Sequence, residues 1–219
     1  MRAALELLHR MQNALGGAER ISAIRDYEEM VVAETFSATG EGRGNTRKRV
    51  RWMAPSYLRI DQVGPGNTYV LFFDGVAGWE ILPDRASAGR TNGGPITLAD
   101  SELEFAKGYA SGMMFKSWLA DQTPRYLVSS PRTNVVRVIN ELGKGVDITL
   151  DPRTWLPLKE SAIPAQPDQP APQEMHYEEW TKTNGLVLPA RRSNFHDGAR
   201  LAGSRRNTSR SIAVKVWTA

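Results

Sequence analysis

From about Asp26 onward, the apolar residues of this chain recur at every second position in short runs, and the runs are separated mostly by turn signals rather than by helices. Period two is the spacing of a strand with one face in a core, so most of the chain must be built into sheet. The runs fall at residues 31–37, 47–52, 57–62, 68–73 and 79–82, then at 134–140, 145–150, 155–163, 175–181, 186–195 and 209–217. Asn184-Gly185 between two of them is a hairpin dipeptide, and Leu142-Gly143-Lys144-Gly145 is a second turn. Connections this short join antiparallel neighbours, because a parallel pair needs a crossover of about a dozen residues or more. The run at 68–73 is apolar on both faces and is expected to be covered on both sides.

Helical spacing occurs in two places. Ala4, Leu8, Met11 and Leu15 form a stripe that ends at Gly16-Gly17, a left-handed cap, and 18–24 reads as a short second helix with Ile21 and Ile24 inward. Residues 1–25 are thus a helix pair. In the middle, Leu103, Ala106, Ala110, Met113 and Ser117 share a face of a helical segment over 100–120, weakened by Gly108 and Gly112. Four prolines in 164–173 preclude a strand interior and mark a loop. Strands grouped before and after one helical segment do not follow the βαβ rhythm. The expectation is an α+β protein, a large curved antiparallel β-sheet packed against helices, in a single domain of residues 1–219.

Composition excludes more than it proves. There are no cysteines, which removes disulfides, thiol nucleophiles, iron–sulfur clusters and cysteine-based zinc sites. The three histidines show neither HxH nor HExxH spacing, so no metal is expected. Neither a GxSxG elbow, nor a Walker loop, nor a dinucleotide fingerprint is present. Glu178 and Glu179, as strand neighbours, are expected on opposite faces and unable to share a site. The net charge of +4 does not demand a polyanionic partner, and no nucleic acid is expected. Basic residues are nevertheless concentrated: Arg47, Arg49 and Arg51 alternate with Lys48, Val50 and Trp52, giving one face of that strand a guanidinium row and leaving the other mostly apolar. Residues 2–15 carry Arg2, Glu6, His9 and Arg10 and do not read as a secretory leader, which leaves a cytoplasmic protein or a mature form without its leader.

Several stretches, taken in order, resemble a known family. They are Ala14-Leu15-Gly16-Gly17-Ala18 with Ile21 and Ile24, Asp74-Gly75 with Gly78-Trp79, Asp151-Pro152 with Trp155-Leu156-Pro157-Leu158-Lys159, and Tyr177 and Trp180 with residues 185–191 (GLVLPAR). Together they are similar to the outer-membrane lipoprotein-sorting (LolA/LolB-like) superfamily. The resemblance implies an incomplete β-barrel wrapped around helices, with an apolar concave face that accepts acyl chains in the bacterial periplasm, and it carries no catalytic residues. With no lipobox cysteine, a lipid-anchored receptor is not expected.

On this basis the chain is expected to be a non-enzymatic periplasmic carrier, monomeric and without cofactor. Its ligand would be a lipid, a lipoprotein acyl chain or another apolar molecule. Trp52, Phe72, Trp79, Met113, Phe115 and Trp155 are the candidates to line the cavity, and 100–120 to act as its lid. Arg47, Arg49 and Arg51 would stand at the rim, toward anionic head groups or a membrane-associated partner. The alternative is a structural or protein-interaction module with a filled core.

Overall fold

A computed structural model describes residues 2–37, 39, 41–64, 67–81, 95–100, 102–104, 106–107, 115–141, 143–163, 173–196 and 199–206. They fall into two compact units. The first comprises the described residues of Met1–Ser22, Thr35–Arg43 and Phe115–Arg205, and the second those of Ala23–Glu34, Gly44–Met114 and Arg206–Ala219.

In the first unit, α1 (Arg2–Ala14) buries Ala4, Leu8, Met11 and, just past its end, Leu15. Burying each of the larger side chains, Leu8, Met11 and Leu15, contributes roughly 1.5–3 kcal/mol. The stripe rests on β7 (Leu127–Ser129) and β8 (Val135–Ile139). Gly16 and Gly17 cap the helix at φ +113° and +101°, and the Gly17 N–H donates to the Gln12 carbonyl at 2.8 Å. After α2 (Ala18–Ser22), the remaining strands of this unit are β9 (Gly145–Leu150), β10 (Pro157–Ile163), β11 (Glu174–Thr183), β12 (Leu186–His196) and β13 (Ala199–Arg206). They run in the order β13-β12-β11-β10-β9-β8-β7, with antiparallel neighbours. Asn184 and Gly185 turn the β11–β12 hairpin at φ +51° and +80°, the backbone that Asn-Gly favours. That hairpin tip meets the end of α1. The Val187 N–H donates to the Leu15 carbonyl at 2.9 Å, and a Cβ on Gly16 would lie 2.3 Å from the Gly185 carbonyl oxygen.

In the second unit, β1 (Asp26–Phe36), β2 (Gly42–Met53), β3 (Tyr57–Gly64), β4 (Asn67–Phe73), β5 (Gly78–Ile81) and β6 (Ile96–Thr97) are arranged in chain order. The register from β2 to β5 sets three cross-strand rows facing inward. They are Lys48, Gln62 and Tyr69; Val50, Ile60, Leu71 and Glu80; and Trp52, Leu58, Phe73 and Gly78. The α+β class read from the sequence is the one observed, and the described strands form an open antiparallel arrangement rather than a closed barrel.

Several boundaries differ from those the sequence predicts. β1 begins at Asp26 because Tyr27 and Glu29 continue the inward set of Val31 and Ala33. Glu29, 1 % exposed, disguises the pattern, and its carboxylate is satisfied by the Tyr27 hydroxyl at 2.8 Å. β4 is covered on one face only, since Phe72 is 39 % exposed. Trp155 precedes β10 instead of starting it. The Asp151 carboxylate accepts the N–H groups of Arg153 and Thr154, and the turn it builds leaves Trp155 at φ +61°. Residues 100, 102–104 and 106–107 are helical, but 115–122 lie in turns, and Phe115 has φ +51°, which no helix interior admits. Residues 108–114, with Gly108, Gly112 and Met113, lie outside the described residues, as do 164–172 and 209–217.

Candidate functional site

Alternation along β2 sends Lys48, Val50 and Trp52 to one face and Arg47, Arg49 and Arg51 to the other. The inward face is apolar toward one end. Val50, Trp52, Leu58, Ile60, Leu71 and Phe73 are each at most 6 % exposed. At its other end are the polar Lys48, Gln62 and Tyr69. Burial, aided by Glu80 and Glu102, pushes the Tyr69 hydroxyl up to about 12. Burial and then Glu102 push the Glu80 carboxyl up against the hydrogen bond from Tyr69. Burial alone lowers the Lys48 ammonium. The Trp52 indole N–H is buried and has no hydrogen-bond partner among the described residues.

A groove of about 720 Å³ is lined by the outward-facing Arg49, Arg51, Arg59, Met53, Tyr57 and Phe72, with Asp26 and Glu28 and also Trp52 and Leu58. Arg51 stands opposite Arg59 across the strands, a like-charge pair that is unfavourable unless each side finds a carboxylate. Each does. Glu28 accepts from Arg51 Nε at 2.6 Å and from Arg49 Nε and Nη2 at 3.1 Å, while Asp61 takes Arg59 at 2.8–3.0 Å. Burial raises the Glu28 carboxyl, but the hydrogen bonds of Arg51 and Arg49 outweigh it and hold the group below its usual range. Phe72 continues the row, and Trp79 lies against it with ring centroids 5.9 Å apart.

In the first unit, Glu160 on β10 accepts from the Trp118 indole N–H at 2.8 Å and from the Tyr177 hydroxyl. Burial raises its carboxyl despite both bonds. The rings of Phe115, Trp118, Tyr177 and Trp180 follow one another at centroid distances of 5.0, 6.4 and 6.0 Å. Gln12, 3 % exposed, ties this segment to α1 through the Trp118 carbonyl at 2.9 Å and Asp121 at 2.7 Å.

The sequence-derived site residues are therefore distributed. Trp52 lies on the inward face of the second unit, and Phe72 and Trp79 on its outward face beside Arg51. Phe115 belongs to the aromatic chain of the first unit. Trp155 sits under the Arg10 guanidinium, 4.7 Å from its ring, and Met113 lies outside the described residues. Arg47, Arg49 and Arg51 share one face. Glu178 and Glu179 do converge, contrary to expectation, because Glu179 at φ +54° leaves the strand alternation. Arg191 lies 3.4 Å from one carboxylate and 3.8 Å from the other. Sequence reasoning missed Lys48, Glu28, Arg59 and the Glu160 cluster. For Lys48 the signal was present, since period two already placed it with Val50 and Trp52.

No protein-family model and no curated protein sequence matches the chain. Solved structures do. A LolA superfamily protein from Nitrosomonas europaea is 14 % identical with a TM-score of 0.63, covering 99 % of this chain and 97 % of its own. A DUF1329 family protein from Desulfovibrio piger is 10 % identical with a TM-score of 0.59, over 94 % and 91 %. An outer membrane lipoprotein-sorting protein domain from Vibrio parahaemolyticus is 10 % identical with a TM-score of 0.54, over 98 % and 94 %. The chain shares its fold with these structures, a LolA superfamily protein among them, as the order of motifs implied. At these identities the likeness is one of fold.

Proposed function

We propose that the protein is a non-enzymatic carrier or binding protein of the bacterial periplasm, whose ligand is a lipid, a lipoprotein acyl chain or a similar apolar molecule. One observation supports this most directly. Two of the three inward rows of β2–β4 are apolar and buried, yet within them the Trp52 indole N–H is buried without an acceptor among the described residues. A buried unsatisfied donor costs roughly 1–3 kcal/mol, and a bound molecule presenting an oxygen there would remove that cost. The helical residues 100, 102–104 and 106–107 belong to the same unit and are part of the segment proposed to open for the ligand. The names of the similar structures, a lipoprotein-sorting domain among them, accord with the reading.

The test is native mass spectrometry of protein purified from its own host, joined to uptake of the neutral fluorophore N-phenyl-1-naphthylamine. A co-purifying lipid and a fluorophore signal that Trp52→Phe alters are the expected results. An unmodified mass with no fluorophore uptake would sink the carrier proposal.

The groove on the opposite face favours a second reading, a protein-interaction module. Met53, Tyr57 and Phe72 are 50 %, 41 % and 39 % exposed between arginines, the residue types enriched in binding hot spots and interfaces. Capture of a partner abolished by Phe72→Glu, in a protein that takes up no fluorophore, would favour that reading.

A further inference from the structure

At one end of the second unit two turns touch. The β2–β3 turn (54–56) and the β4–β5 turn (74–77) lie side by side, since Met53 pairs with Tyr57, Leu58 with Phe73 and Phe73 with Gly78. A Cβ on Gly75 would come within 2.3 Å of the Ser56 hydroxyl. Asp74 fixes the second turn, its carboxylate accepting the N–H groups of Val76 and Ala77 at 2.9 and 2.8 Å. Val76 is thereby held out in water, 81 % exposed, and Met53, Tyr57 and Phe72 are open at the same end. Single exposed apolar residues are ordinary, but several gathered at one end of a sheet form a patch that calls for a partner.

The order of residues along the strands indicates which partner. Beyond Val76 in its turn, Met53 and Tyr57 form the last outward row, and Arg51, Arg59 and Phe72 form the row behind it. Rows on one face of a strand are about 7 Å apart, which matches the roughly 5–10 Å to which interfacial apolar side chains enter a bilayer. A protein interface surrounds an apolar centre with a polar rim. Here an apolar layer and a basic layer follow each other along one axis, as acyl chains and phosphates do in a lipid surface. The arginines are also oriented. Glu28 serves both Arg49 and Arg51, and among the described residues Arg51 bonds through Nε alone, which leaves its two terminal nitrogens for a phosphate. Asp61 orients Arg59. Asp26 in the groove and Asp74 in the turn limit the positive surplus, so the apolar tip carries most of the affinity and the arginines set a preference for anionic lipid.

We infer that this end of the second unit docks on a phospholipid bilayer, with Val76, Met53 and Tyr57 in the interfacial layer and Arg51 and Arg59 against anionic head-group phosphates. The inference goes beyond the carrier reading and does not depend on it, because docking requires no ligand within the fold.

The test is sedimentation of the full chain with vesicles of equimolar phosphatidylethanolamine and phosphatidylglycerol, and with phosphatidylcholine vesicles as the zwitterionic reference. Binding to the anionic vesicles is expected to be tighter than to the reference and to weaken with salt. Val76→Asp should weaken binding on the order of tenfold, whereas Val76→Trp should tighten it, a gain that a misfolded variant would not give. Arg51→Gln should lower affinity for the anionic vesicles about fivefold and for phosphatidylcholine far less. Val63→Asp, exposed on the same face at the opposite end of β3, should change neither. Absence of sedimentation with both vesicles would overturn the docking and leave this face to a protein partner. Wild-type binding by Val76→Asp, or an equal loss in Val63→Asp, would overturn it as well. Fluorophore uptake by the same preparation reports on the carrier reading separately, so either can fail without the other.

Discussion

Trp118 and Trp52 are both buried tryptophans, and the two units treat them oppositely. In the first unit the indole N–H meets Glu160, which also takes the Tyr177 hydroxyl, and the Trp118 carbonyl takes Gln12. In the second the indole N–H meets no acceptor among the described residues. The contrast separates a region whose polar groups are satisfied internally from one whose inventory is left incomplete. Buried networks of the first kind rigidify and specify a core, whereas incomplete ones mark strain or a site awaiting a molecule.

The contrast can be broken hardest at the point where the first unit is tightest. Gly16→Ala puts a methyl 2.3 Å from the Gly185 oxygen at a φ that L residues avoid, and should cost about 3 kcal/mol or more, read by urea unfolding. Glu160→Leu strands two donors at once and should cost roughly 2–3 kcal/mol in the same assay.

Acid provides a graded test of the first unit's pairing. Hydrogen bonds from His176 and then Lys159 hold the Glu174 carboxyl at about 2 against a usual value of 4.5. A carboxyl depressed on folding stabilises above its unfolded value, and that contribution falls away as pH drops from 4.5 toward 2. The stability gap between wild type and Glu174→Gln should therefore be full at neutral pH and close across that window, followed by unfolding at stepped pH. The finest discrimination comes from a matched pair. Trp118→Phe should lose about 1–1.5 kcal/mol by leaving Glu160 short of a donor, whereas Trp52→Phe should change ligand-free stability by less than about half of that, since it deletes an unmatched donor. Equal losses in the pair would erase the distinction between the units.

Much of this architecture could be read before any coordinates. The helix stripe ending at Gly16-Gly17, the Asn184-Gly185 hairpin and the two faces of β2 follow from spacing and turn chemistry alone. The failures share a cause: a local backbone or a buried charge overrides the simple period. Glu29 hid the start of β1 because its partner, Tyr27, is needed to make it a core residue. Trp155, Phe115 and Glu179 leave their expected elements by adopting positive φ, and their side chains give no warning of it. The candidate site was only half legible. Period two placed Trp52, yet grouping it with Phe72 and Trp79 required the inter-strand register, which puts them on opposite faces.

The contact between the end of α1 and the tip of the β11–β12 hairpin also fixes an order of events in time. Leu15 is made long before Val187, whose N–H its carbonyl receives. α1 is short enough to be marginal on its own, so its apolar stripe waits for β7 and β8, and its capped end waits longer still, for β12. Closing that contact entails a long loop, which slows folding. In a chain wired this way the first helix gains its contact with the hairpin tip only once β12 has been made.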